Sequence, residues 1–71
     1  MKPMETLLKI VSSGGGLILD SQELSTDALV RIAAASQVKG ASIIIKNVDR
    51  KSTDALVCIA KAGQGNVIFD V

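Results

Sequence analysis

The eleven residues STDALVRIAAA (25–35) recur as STDALVCIAKA (52–62), identical at nine of eleven positions with an offset of 27. So close a copy in so short a chain marks an internal repeat, and periods of 20–50 residues are those of stacked supersecondary units. Within each copy the apolar residues return at helical spacing. They form the stripes Ala28, Leu29, Ile32, Ala33, Ser36 and Ala55, Leu56, Ile59, Ala60, Gly63. The spacing therefore predicts two helices with one buried face each, with Leu29 and Leu56 in equivalent buried sites, and Ile32 and Ile59 likewise. Ser25 and Ser52 stand where a side-chain oxygen can accept from an otherwise orphan amide. Asp27 and Asp54 fall in the first turn, where the helix dipole favours negative charge.

Working upstream, a fainter third copy lies at an offset of 22, with Glu5, Leu7, Lys9 and Ile10 on Asp27, Leu29, Arg31 and Ile32. Pro3 takes the place of the serine caps, where a missing amide hydrogen costs nothing. Glycines 14–16, Gly40, Gly63 and Gly65 are expected at the helix exits. After each copy comes a short apolar run: Leu17-Ile18-Leu19-Asp20, Ile43-Ile44-Ile45-Lys46 and Val67-Ile68-Phe69-Asp70. Rich in Ile and Val and bounded by turn residues, these read as strands.

The expected order is α-β-α-β-α-β in a single α/β domain over residues 1–71, with units at about 3–20, 25–47 and 52–71. Strands joined through a helix are parallel. Like helices make like packing, so the expected fold is a three-stranded parallel sheet, order 1-2-3, with all helices on one face. The alternative puts helices on both faces. A one-faced stack of strand–helix units of this length resembles the leucine-rich repeats of the ribonuclease-inhibitor type. Leu17-Ile18-Leu19 followed by Leu24 and Ser25 to Leu29 carries the likeness, and the asparagine that follows the strand in that family appears here as Asn47. The resemblance implies a short solenoid.

A second likeness covers the C-terminal half. Gly40 to Val48, the helix ending Ala62-Gly63 and the run Val67 to Asp70 resemble sulfate-transporter and anti-sigma-antagonist domains. That family is switched by phosphorylation of a serine at a helix start, which Ser25 or Thr26 matches in position. Its Asp-Ser-Ser-Gly signature does not occur in this chain.

Composition narrows the function. Hydrophobic residues are 48%, charged residues 21% and formal net charge +1, an ordinary globular balance. The chain has no His, Trp or Tyr, one Phe and one Cys. That leaves no imidazole for acid–base work and no pair of cysteines for an internal disulfide. A structural zinc site takes about four Cys or His ligands, so no metal is expected. Cys58 has no imidazole to activate it and, mid-helix, is expected near the edge of the buried face. Lys46, Arg50 and Lys51 form the basic cluster, with Asp49 inside it, and read as solvated loop; single-strand binders add aromatics. The triplets 25–27 and 52–54 read as caps and not anion sites, because each brings its own carboxylate. No catalytic residue, cofactor, small-molecule substrate or nucleic acid is expected. Asp20, Lys46 and Asp70 end neighbouring strands and suggest an ion-pair row.

The apolar run from Met1 to Val11 is cut by Lys9 and carries Glu5, unlike a secretory leader. No stretch has the 18 apolar residues of a membrane span, and a lone cysteine suits a reducing compartment; the reading is cytoplasmic, with no membrane partner.

One feature stands out against this plain composition. Alternate strand residues face opposite sides. If Leu17, Leu19, Ile43, Ile45, Val67 and Phe69 face the helices, Ile18, Ile44 and Ile68 line up on the other face with nothing to cover them. Val71 follows directly on the last strand, which is left without a cap. Ile18, Ile44, Ile68 and Val71 are thus the expected interface of a non-enzymatic interaction module. The expected partner is another protein or, in a homo-oligomer, a second copy, with a dimer favoured.

Overall fold

The computed structural model describes residues 2–71. Helix α1 spans Met4–Ser12, strand β1 Leu17–Asp20, helix α2 Thr26–Ser36, strand β2 Ile43–Lys46, helix α3 Thr53–Gly63 and strand β3 Val67–Phe69. The order is the expected one, and the helices start as their sequences direct. Ser25 Oγ accepts from the Ala28 amide at 3.1 Å, and Ser52 Oγ accepts from the Ala55 amide at 3.1 Å. Pro3 has no side-chain oxygen to offer. Its extended backbone (φ −61°, ψ 156°) instead presents its carbonyl to the Thr6 and Leu7 amides.

The three strands are parallel in the order β1-β2-β3, and the sheet does not close. Leu17, Ile43 and Val67 share one rung, Ile18, Ile44 and Ile68 the next, and Leu19, Ile45 and Phe69 the third. That register sends the first and third rungs into one core. Leu7 and Val11 of α1, Leu29, Ile32 and Ala33 of α2, and Ile59 of α3 meet Leu19, Ile43 and Ile45 there. All three helices feed the same cluster, while Ile18 and Ile68 on the opposite face are exposed. A sheet with helices on both faces would have buried them.

Ile32 and Ile59 are both fully buried, as their shared stripe requires. Leu29 and Leu56 are not equivalent. Leu29 is 1% exposed, but Leu56 is only half-buried. Helix α2 packs between α1 and α3, whereas α3 has a helix, α2, packed along one side. The same side chain therefore meets a wall in one helix and solvent in the other.

The exits differ in detail from expectation. Gly14 and Gly40 take positive φ after α1 and α2. After α3 the left-handed position falls on Gln64 (φ 46°), and Gly63 is the last helical residue, buried. Its lack of a side chain serves close approach, since a Cβ there would collide with the Val67 side chain and touch Ala33 Cβ at 3.5 Å. In an open helix, Gly to Ala gains about 1 kcal/mol. Here overpacking should reverse the sign, and Gly63→Ala is expected to lose about 1–3 kcal/mol in thermal or urea denaturation.

Candidate functional site

The face of the sheet left bare is built by three facts of local structure. Parallel pairing puts residues 18, 44 and 68 side by side. Strand alternation turns all three away from the helices. Each is isoleucine. Ile18 is 69% exposed and Ile68 52%, and Ile44, flanked by both, is half-buried. The row is a contiguous apolar strip about 10 Å across, two strand spacings. Val71, 94% exposed, lies beyond the end of β3 and outside this row.

Alternation places Asp20, Lys46 and Asp70 on the same side as the isoleucines, two rungs further along. Asp20 and Lys46 are register partners, and the Asp70 amide extends the ladder by donating to the Ile45 carbonyl at 2.9 Å. The expected ion-pair row does not form. Glu5–Lys9 is the one ion pair among the described residues, and the Asp20 carboxylate accepts from the Gln22 amide at 2.9 Å instead. A carboxylate two residues ahead of a free amide closes a local turn at less entropic cost than it orders a lysine across strands.

A second concavity opens where the strands end. Ser21, Gln22, Leu24, Arg50 and Lys51 line a cleft of about 490 Å³ between the β1–α2 and β2–α3 loops. The Ser21 hydroxyl donates to the Asn47 carbonyl, and Lys51 Nζ donates to the Leu24 carbonyl at 3.2 Å. Asn47 takes a left-handed backbone (φ 60°), which asparagine tolerates better than most residues. Arg50 and Lys51 are the residues expected in solvated loop, Leu24 belongs to the repeat likeness, and Ser21 and Gln22 enter the lining unannounced. The signal available was the equal placement of both loops after strands, where parallel sheets gather ligands. Much of the polar lining is occupied in tying one loop to the other.

The remaining candidates stay apart. Ser25 is exposed with its oxygen committed to the cap, and Thr26 is half-buried. Ser25→Ala is expected to cost about 1 kcal/mol in denaturation and to leave association unchanged. Cys58 is exposed on α3, outside the edge of the buried face where it is expected. Among the described residues no three His, Cys, Asp or Glu side chains come together as metal ligands, and no helix is long and apolar enough to cross a membrane.

No family model matches the chain, and no curated protein or solved structure matches it either.

Proposed function

We propose that this chain is a non-enzymatic self-association module: a short, solenoid-like stack of three α-β units that joins a second copy through its bare sheet face. One observation carries the reading. Ile18, Ile44 and Ile68 form an in-register apolar row that no helix covers. Full burial of an isoleucine is worth roughly 1.5–3 kcal/mol, so a row left in water forgoes a large share of what so small a fold can gather. A two-fold axis lets one patch cover itself, which makes a second copy the simplest occupant.

The test is chemical cross-linking in a Cys58→Ser background, which removes the native thiol. Packed sheets lie about 10 Å apart, too far for a direct disulfide between facing residues. A bis-maleimide of about that span should therefore join two chains carrying Ile44→Cys, near the centre of the row, and fail with the thiol moved to the helical layer at Arg31→Cys. Equal yields at both positions would remove the sheet face as the interface.

A further inference from the structure

The internal repeat supplies its own control for what the two ends of the stack lack. At the position of Leu7, Leu29 and Leu56, the first two units are buried and the third is half-buried. Val11, Ala33 and Ala60 follow the same pattern. In the strands, Leu19 and Ile45 are buried, but Phe69 is half-buried. The opposite end shows the opposite loss. At the position of Ile10, Ile32 and Ile59, the second and third units are fully buried and the first is half-buried. Each end is therefore short of the neighbour that the middle unit has. The uncovered sides differ: among the described residues no unit packs on the outer side of α3–β3, and none on the outer side of α1–β1.

The backbone gives an independent sign of the same deficit. Leu17 and Ser21 donate towards β2, so alternation leaves the Ile18 and Asp20 amides on the outer edge of β1. Asn66 accepts from Ile43 and Asp70 donates to Ile45, so the Val67 and Phe69 amides lie on the outer edge of β3. Two parallel edges, one at each end, stand open as templates.

We infer that copies of this chain add end to end, β3 of one pairing in parallel with β1 of the next, so that the stack continues across the junction. The occupant is a second copy because the two deficient surfaces are the two halves of a contact the chain already makes twice within itself, α1–β1 on α2–β2 and α2–β2 on α3–β3. α3 presents nearly the same residues that α2 offers to its follower, given nine identities in eleven. The inference rests on the three-unit reading proposed above but uses different surfaces from the isoleucine row. Such a head-to-tail contact is heterologous and extends until a ring closes or a filament forms. One feature opposes it. In register, Asp70 of one copy comes beside Asp20 of the next, so added salt should strengthen the contact by screening them.

Amide hydrogen exchange of the unmodified protein by NMR, in dilute and concentrated samples, tests this together with mass in solution. The expected result is that the Ile18, Asp20, Val67 and Phe69 amides slow together with concentration. The slowing should be about tenfold, as for bonds closed in nine chains of ten, and greater in high salt. Slowing of the β3 edge alone would mean two-fold edge pairing and would overturn the inference. Rising mass with both edges still open overturns it too, but leaves the sheet-face reading in place. A mass fixed at 7.4 kDa with both edges open overturns both.

Discussion

Leu29→Ala is expected to unfold the chain under conditions in which Leu56→Ala leaves it folded. Both leucines sit in the same run, Ser-Thr-Asp-Ala-Leu-Val, and nothing in their local sequence separates them. Their surroundings do, since Leu29 is 1% exposed and Leu56 half-buried. Truncating a fully buried leucine removes its transfer energy and leaves a cavity, together about 2–5 kcal/mol. A domain of this size holds on the order of 4–10 kcal/mol in all. Leu56→Ala removes less buried area and opens to solvent instead of leaving a void, so about half that loss is expected. Urea denaturation of both variants at low protein concentration checks the difference. Equal losses would mean that α3 is covered on its outer side.

Ile44→Asp is expected to abolish association through the sheet face. Ile44 is the middle of the row, and a carboxylate there would be enclosed without a partner when two faces meet. A loss of more than about 100-fold in affinity follows if even 3 kcal/mol of that penalty is expressed. Ile44 is half-buried within the chain itself, so the substitution also weakens the fold. Ile18→Asp separates the two effects, because Ile18 is already 69% exposed and its loss should leave the circular-dichroism spectrum unchanged. Folded Ile18→Asp protein that associates like the unmodified chain would contradict the sheet-face account.

What was legible in the sequence was whatever depends on neighbours along the chain. Ser25 and Ser52 cap because a serine three residues ahead of a free amide needs no tertiary context. The strand register is legible in the three apolar runs themselves, each closed by a charged residue at its fourth position (Asp20, Lys46, Asp70), and Ile18, Ile44 and Ile68 come out on one rung as read. What escaped depends on position in the stack or on contacts between loops. Leu56 looks like Leu29 until one asks what lies outside α3. Gly63 looks like a helix exit, but its smallness serves Val67 and Ala33, which only the packed structure brings near. The Asp20–Lys46 pairing was right in register and wrong in chemistry, because a local turn competes for the carboxylate. The cleft of Ser21, Gln22, Leu24, Arg50 and Lys51 comes from two loops of the two units crossing, and no single segment announces it.

Sedimentation equilibrium of the unmodified protein tests most directly whether the chain completes its burial by self-association. The expected result is a weight-average mass above the 7.4 kDa of one chain, rising with concentration across the micromolar range. A mass of 7.4 kDa at every concentration, with a folded circular-dichroism spectrum, would contradict it.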